Sequence, residues 1–234
     1  MTDKSVKTPV PPHPVLPAHY AKHNERVGYI RHLFDITAPS YDRINSWMSL
    51  RTGERYRFDA LVRAGIKPGQ QALDVACGTG VLARHQQNLV GVQGAVLALD
   101  PSLPMLREAA GRGVEELVAG IAEQLPLRDE TVDFVSMGYA LRHVADLGLA
   151  FDEFYRVLRP GGRLLILEMV PPPSRMGYQL TKLYLKYLVP GITSVVTRST
   201  DARKLMRYYW DTVDRCVAPE VVMSTLEDSG FRRS

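Results

Sequence analysis

The sequence predicts an α/β fold with a doubly wound, mostly parallel sheet, and three observations support this class. Between residues 70 and 170, short apolar runs alternate with helical segments, which is the pattern of βαβ units. Gly78 and Gly80 stand where the first predicted strand meets the next helix. The length of 234 residues suits a single domain. Right-handed crossovers then place helices on both faces of the sheet.

The residues before the sheet are predicted to form a tail and a group of helices. Residues 1–26 are expected to be a disordered tail, because five prolines fall within the first seventeen residues and proline-rich segments do not build a packed core. Residues 27–66 have a helical pattern with a break at residues 38–40. The turn sequence "KPGQ" then leads into the first strand.

Five strands and their connecting helices are predicted in the centre of the chain. The strands are residues 71–76, 94–100, 115–120, 132–139 and 163–170, and the helices are residues 78–88, 103–113 and 147–159. Beyond them, residues 176–213 are predicted as helices interrupted at Pro190, since proline breaks a helix. A last helix is expected from Pro219 to Gly230. Residues 27–234 are therefore predicted to form one domain.

The charge and cysteine content argue against several classes of protein. The net charge of +4 is spread along the chain, so nucleic acid is not an expected partner, whereas an anionic membrane surface is compatible. Cys77 and Cys216 are far apart, which is neither a disulfide framework nor a zinc ligand set and indicates a reducing compartment. We see no bilayer-spanning apolar run and no secretory signal. A cytoplasmic location is expected.

The motif "LDVACGTG" at residues 73–80 is the strongest chemical signal. Its glycines allow a tight turn, and the helix that follows offers free N–H groups to an anionic ligand. Asp100 ends the second strand, where an acid can accept hydrogen bonds from ribose hydroxyls. The spacing from Gly78 to Ala83 also fits a dinucleotide fingerprint. Asp74 favours a ligand with an ammonium group, because its carboxylate would repel a pyrophosphate.

Longer segments add a resemblance to known enzymes. "RVLRPGGRLLILEMV" (156–170) is similar to class I S-adenosylmethionine (SAM)-dependent enzymes, and with "YDRINSWMSLRTGERYR" (41–57) it resembles the signatures of the UbiE/MenG family of ubiquinone and menaquinone C-methyltransferases. "ALRHV" (140–144) and "KLYLKYLVPGI" (182–192) resemble further segments of that family. The likeness covers about residues 28–231.

The resemblance implies a Rossmann-like sheet of the class I SAM-dependent methyltransferase type with a helical insertion after the fifth strand. Residues 174–216 would form a helical cap over the acceptor site, and a polyprenylated quinone would enter over the N-terminal helices and this cap. The predicted cofactor-binding residues are Asp74, Ala76, Gly78, Gly80, Asp100, Pro101, Ile121, Ala122 and Met137. The backbone N–H of Ala122 would meet the adenine ring.

The chain departs from this family at four positions. Where this chain has Gly53, Tyr56 and His143, the family has His, Trp and Asn, respectively. Where this chain has Ile121, the family has Asn or Asp, whose side chain holds the adenine amino group. The pattern is similar to a divergent branch, the rhodoquinone biosynthesis enzyme RquA, which implies replacement of a ubiquinone methoxy group by an amino group from SAM, with manganese assisting. The family continues into two further strands, so either the chain is cut or its sheet is shorter.

The predicted catalytic residues are Arg142, His143, Tyr41 and Asp42. Arg142 and His143 follow the fourth strand, at the end of the sheet where ligands bind. Arg142 would polarise a quinone carbonyl, or form a salt bridge; His143 would act as a base or a metal ligand, since its usual pKa near 6.5 allows protonation at neutral pH. Asp146 is the second candidate metal ligand, and Glu168 is a further one.

The first functional hypothesis is rhodoquinone formation from ubiquinone by a SAM-dependent enzyme. The alternatives are C- or O-methylation of a quinol, an inactive SAM-fold subunit of a quinone-biosynthesis complex, and an NAD-dependent reductase. The expected location is peripheral to the inner face of the membrane, because residues 178–196 are apolar and Lys182 and Lys186 lie four residues apart.

Overall fold

The centre of the molecule is a sheet of five parallel strands. The computed structural model describes residues 8–49, 52–197 and 200–232. The strands are β1 (Gln71–Val75), β2 (Ala95–Asp100), β3 (Glu116–Ala119), β4 (Val132–Gly138) and β5 (Leu158–Leu167). Their order is β3-β2-β1-β4-β5 and every pairing is parallel. The predicted parallel sheet is confirmed. The chain adds strands toward one edge from β1 to β3 and toward the other edge from β4 to β5, and folds of this kind bind ligands at the point between β1 and β4.

Helices cover both faces of the sheet and one of its ends. They are α1 (Arg26–Thr37), α2 (Tyr41–Met48), α3 (Gly53–Ala64), α4 (Val81–Val90), α5 (Leu103–Gly111), α6 (Leu147–Val157), α7 (Arg175–Lys182), α8 (Val189–Thr197), α9 (Thr200–Asp214) and α10 (Pro219–Asp228). None of the described helices combines the length and the apolar character that crossing a bilayer would need.

Successive strand residues bury their side chains in two different apolar layers. In β1, Leu73 and Val75 join the cluster that contains Phe151 and Phe154 of α6. Ala72, the residue before Leu73, joins the cluster formed with α3 and α4. Because side chains alternate between the faces of a strand and both faces are covered, the strands are mostly apolar.

The expectation of a disordered tail over residues 1–26 does not hold for the described part of that segment. Leu16 and Tyr20 are 1% and 5% exposed and pack in an apolar cluster with α1 and α9. The carbonyl of Val10 accepts a hydrogen bond from the N–H of Leu147 at 2.9 Å. Prolines keep the backbone extended and leave its carbonyls free to accept such bonds. The first seven residues lie outside the described part.

The predicted break at Pro190 is wrong, because the helical path continues through it. Residues 183–188 form a π-helical turn between α7 and α8, and Pro190 is the second residue of α8. A proline inside an α-helix clashes with the carbonyl four residues before it. The wider π-turn just before this position relieves that clash.

Candidate active site

The turn between β1 and α4 places backbone amides beside a carboxylate at the end of the sheet. Gly78 has a φ of +56°, and its N–H donates to Oδ2 of Asp100 at 2.8 Å. Oδ1 of Asp100 accepts from the N–H of Ser102 at 2.8 Å. A Cβ added at Gly78 would meet only the ring of Tyr41, at 3.9 Å. A ligand can therefore approach the backbone of this turn closely.

A cavity of about 330 Å³ opens beside the turn, and we call it the strand-end cavity. The predicted cofactor-binding residues that line it are Ala76, Gly78, Asp100, Pro101, Ile121 and Ala122. Arg31 and Phe34 of α1 also line it. A concave, largely apolar lining with a few polar groups is typical of a small-molecule site.

Three predicted cofactor-binding residues lie behind the turn and do not line the cavity: Asp74, Gly80 and Met137. Gly80 has a φ of +80°, and a Cβ there would come within 2.5 Å of Cγ2 of Val114. It is therefore required for close packing rather than for ligand approach. Met137 is fully buried in the core. The positions of Met137 and Asp74 follow from the alternation of side chains along a strand, because both side chains point into the layers beside the sheet rather than toward its end.

Asp74 carries a buried carboxylate that is only half satisfied. Its Oδ1 accepts from the hydroxyl of Ser136 at 2.6 Å, while Oδ2 is buried without a partner among the described residues. Burial raises the pKa of Asp74 to about 7, although the bond from Ser136 opposes this. A cation bound at the nearby turn would lower this pKa. The turn and the Asp100 carboxylate thus fit the ribose of SAM, whereas Asp74 does not line the cavity and its predicted contact with an ammonium group stays a prediction.

A second cavity, of about 430 Å³, is lined by α2, α3, α7 and α9, and we call it the helical cavity. Three polar side chains meet in its wall: Tyr41, Arg142 and Tyr209. The Tyr209 hydroxyl donates to the Tyr41 hydroxyl at 2.8 Å. The guanidinium of Arg142 lies 5.0 Å from the centre of the Tyr209 ring. Because the remaining lining is mostly apolar, these groups would orient a flat, weakly polar acceptor.

Arg142 is a buried cation with one carboxylate partner. Its Nη1 pairs with Oε1 of Glu168, and the two side chains are 2% and 9% exposed. Burial acts to lower the pKa of Arg142, but Glu168 and the surrounding tyrosines outweigh it and raise this pKa. The guanidinium therefore stays charged. Arg142 forms a salt bridge and also lines the helical cavity, while its contact with a quinone carbonyl stays a prediction.

His143 lines the strand-end cavity, although the preceding Arg142 lines the other one. Its Nδ1 lies 3.0 Å from the hydroxyl of Tyr208. Burial, together with the guanidinium groups of Arg142 and Arg26, holds the pKa of His143 well below its usual range. This lowered pKa opposes the expected protonation of His143 at neutral pH, and its role as a base or a metal ligand stays a prediction.

Asp42 and Asp146 accept structural hydrogen bonds. Asp42 accepts from the Thr79 hydroxyl at 2.5 Å and pairs with Arg112 at 2.9 Å, outside both cavities. Asp146 accepts from the N–H of Gly148 at 2.8 Å and caps α6. Within the described ranges no group of three or more His, Cys, Asp or Glu could hold a metal ion. These donors do not fit the predicted manganese site, and we derive no step through a metal.

Tyr139 is a site residue that sequence reasoning missed. With Tyr41 it lines both cavities, so the two tyrosines form their common wall. Tyr139 has a φ of +61°, a strained conformation for a bulky residue, and the guanidinium of Arg57 lies 4.7 Å from its ring centre. Its position directly after β4 was the available signal, since ligands bind at the carboxyl ends of parallel strands.

Comparison with known proteins agrees with this geometry. Residues 20–234 match the model of the ubiE/COQ5 methyltransferase family. The chain is 34% identical to a demethylmenaquinone methyltransferase of Symbiobacterium thermophilum, over 88% of this chain and 86% of that protein. It is 30% identical to the ubiquinone/menaquinone biosynthesis C-methyltransferase UbiE of a Marinomonas strain, over 90% and 86%.

A solved structure gives the same result for the fold. A SAM-dependent methyltransferase from Thermotoga maritima superposes with a TM-score of 0.61 and 25% identity, over 86% of this chain and 81% of that one. The fold is therefore the class I SAM-dependent methyltransferase type, as predicted. This likeness favours SAM over a dinucleotide as the ligand of the strand-end cavity.

Proposed function

The chain belongs to the ubiE/COQ5 methyltransferase family, and from that premise we propose that it transfers a methyl group from SAM to a ring carbon of a polyprenylated quinol. SAM would occupy the strand-end cavity and the quinol ring the helical cavity. The observation that carries this proposal is the wall shared by the two cavities, which is made by Tyr41 and Tyr139. Methyl transfer needs donor and acceptor within about 3–3.5 Å of each other, and two cavities that adjoin at these tyrosines support such an arrangement.

The residues of the helical cavity suit the charge that develops on a quinol ring. SAM supplies a methyl group on a sulfonium centre; a carbon–carbon bond forms, the sulfur–methyl bond breaks, and the ring carbon loses a proton to water. Arg142 would stabilise the phenolate oxygen as a fixed cation. The Tyr41 hydroxyl accepts from Tyr209, so its own proton is available to the same oxygen. His143 is neutral and is not assigned proton transfer.

Amination of ubiquinone to rhodoquinone is a second candidate, and one observation favours it. Ile121 lines the strand-end cavity and is 43% exposed, where the related enzymes are expected to place an amide or acid on the adenine. Without that contact SAM is freer to adopt a pose that presents its amino group. The named relatives are methyltransferases, so methylation is the first proposal and the rhodoquinone reaction the second.

Doubly labelled SAM separates the two reactions. The purified chain is incubated with SAM carrying ¹³C in the methyl group and ¹⁵N in the amino group, with either a demethylated quinol or ubiquinone as acceptor. The expected result, measured by mass spectrometry, is a methylated product that contains ¹³C and lacks ¹⁵N. A ¹⁵N-labelled product would overturn methylation in favour of amination. No product, with no S-adenosylhomocysteine binding by calorimetry, would support an inactive subunit.

Replacement of Ile121 by asparagine is expected to tighten S-adenosylhomocysteine binding. The new side chain can hydrogen bond the adenine amino group, and one such bond contributes about 0.5–1.5 kcal/mol, or roughly 2- to 12-fold in Kd. Ile121→Leu is the matched control, since it keeps an apolar group of similar size, and its Kd should not change. Equal affinity of Ile121→Asn and the parental chain would show that the adenine does not lie beside residue 121.

A further inference from the structure

The outer side of the helix over the helical cavity carries an exposed apolar stripe. Met176, Leu180, Leu183 and Tyr187 follow one another at intervals of four, three and four residues, and they are 76%, 59%, 57% and 59% exposed. That spacing places them on one side of α7 and of the π-turn that follows it. We call these four residues the outer stripe. Exposed apolar patches of this kind mark interaction sites.

The charges within the segment that carries the outer stripe all have the same sign, although Asp214 of α9 accepts from the hydroxyl of Tyr178 at 2.6 Å. Residues 175–197 contain three cationic residues, Arg175, Lys182 and Lys186, and no Asp or Glu. Nζ of Lys182 and of Lys186 each lie 5.8 Å from a tyrosine ring centre of the same helical segment. An apolar face flanked by cations is complementary to a surface that is apolar inside and anionic at its rim.

The inner side of the same helical segment is a wall of the helical cavity. Thr181, Tyr184 and Leu185 line that cavity, and so does Leu180. Leu180 therefore belongs both to the cavity wall and to the exposed stripe. The mouth of the helical cavity must lie beside the outer stripe.

We propose that the outer stripe docks this chain on a lipid bilayer with anionic headgroups. The four apolar side chains would enter the boundary between headgroups and acyl chains, while Arg175, Lys182 and Lys186 contact phosphates. This placement sets the mouth beside Leu180 against the bilayer. A lipophilic acceptor would then reach the helical cavity without crossing water; this last step rests on the proposed function, whereas the docking itself does not.

The charge pattern favours a bilayer over a second copy of this chain. Two outer stripes facing each other across a two-fold axis would bring the same patch of each copy together. The cations of both copies would then be close, and no acid of the segment would offset their repulsion. An anionic bilayer offsets all three charges at once.

Vesicle co-sedimentation of the full chain, without SAM or quinone, tests the docking. Binding is expected to be tighter to vesicles of phosphatidylcholine mixed with phosphatidylglycerol than to phosphatidylcholine alone, and to weaken with salt. Leu183→Glu should weaken it by at least about tenfold, because it removes an apolar side chain that the bilayer would bury and adds a charge that anionic headgroups repel. Lys182→Gln and Lys186→Gln should each weaken it about fivefold. Val92→Glu, at a fully exposed valine after α4, is the matched control and should bind like the parental chain.

Several outcomes would overturn the proposal. The proposal is contradicted if Leu183→Glu binds vesicles as tightly as the parental chain, or if Val92→Glu loses as much affinity as Leu183→Glu. It is also contradicted if the parental chain binds both kinds of vesicle with equal affinity. A dimer seen by light scattering without lipid, and dissociated by Leu183→Glu, would assign the stripe to a second copy. Because this assay contains no reactants, vesicle binding with no methylation would contradict the proposed function alone, and methylation with no vesicle binding would contradict the docking alone.

Discussion

The Arg142→Met variant is expected to be at least about 100-fold slower than the parental chain and clearly less stable. The loss in rate follows because the guanidinium is a buried cation in the wall of the helical cavity, which Arg57 also lines, and removing one such group costs about 100- to 1,000-fold. The loss in stability follows because Glu168, 9% exposed, is left as a buried charge without its partner. Breaking a buried pair in this way costs about 3–5 kcal/mol.

A double variant separates the chemical role of Arg142 from its structural role. Arg142→Met combined with Glu168→Gln removes both charges, and the glutamine oxygen can still accept the N–H of Met169, which now donates to Glu168 at 2.8 Å. We expect urea unfolding to show that most of the lost free energy of unfolding is recovered, because neither charge of the pair is left buried without its partner. Turnover of SAM should stay as low as in the single variant.

The two measurements together decide the role of this residue. Activity that returns with stability in the double variant would make Arg142 a structural residue only. Turnover must be measured at a temperature where circular dichroism shows each variant to be folded, so that unfolded protein does not count as lost catalysis.

Asp100→Asn is expected to weaken S-adenosylhomocysteine binding by about 10- to 100-fold, because hydrogen bonds to a charged group contribute about 1.5–3 kcal/mol. Asp100 lines the strand-end cavity and ends β2, where a carboxylate can accept from ribose hydroxyls. Asp129→Asn is the control, since that carboxylate is 74% exposed and lies on the surface beside Arg156. Its Kd should equal that of the parental chain.

The affinity should also fall at acid pH. Burial raises the pKa of Asp100 to about 6, although bonds from the Ser102 and Gly78 amides oppose this. Ribose hydroxyls that donate to the carboxylate favour its charged form, so the pKa falls in the complex. The affinity is then fully present above pH 6 and is lost as the pH falls below it, by up to about tenfold per pH unit. Calorimetry from pH 8 to pH 5 measures this.

The variant identifies the titrating group. In Asp100→Asn the dependence below pH 6 should disappear, because an amide does not titrate there. A dependence that persists unchanged would assign the proton to another group. Asp74, whose pKa burial raises to about 7, would then be the next residue to replace.

Much of the fold could be predicted from the sequence because the relevant signals are local. The five strands and the order of the helices follow from apolar periodicity and from glycine and proline at turns. The cofactor motif could be located for the same reason, since Gly78 and Asp100 each end or follow a strand. Family signatures then identified the family, but the first hypothesis of a divergent aminating branch is not supported by its named relatives, which are methyltransferases.

Errors arose where a side chain's role depends on residues distant in the chain. Residues 8–25 looked disordered from their prolines, but Leu16 and Tyr20 find partners on α1 and α9. His143 was expected to take up a proton at neutral pH, but burial, with Arg142 and Arg26 nearby, holds its pKa well below its usual range and makes it a weaker base. Neither environment can be read from neighbouring positions, because tertiary contacts create it.

The sequence by itself determined the parallel sheet, the turn at Gly78 and the carboxylate at Asp100, since strand alternation and short-range spacing fix them. Only the tertiary structure decided which of the predicted residues meet. It separated Asp42 and Asp74 from the cavities, and it brought Tyr41 and Tyr139 together as their common wall. The physical reason is that backbone periodicity sets the face of each residue, whereas packing between distant elements sets its neighbours and its charge state.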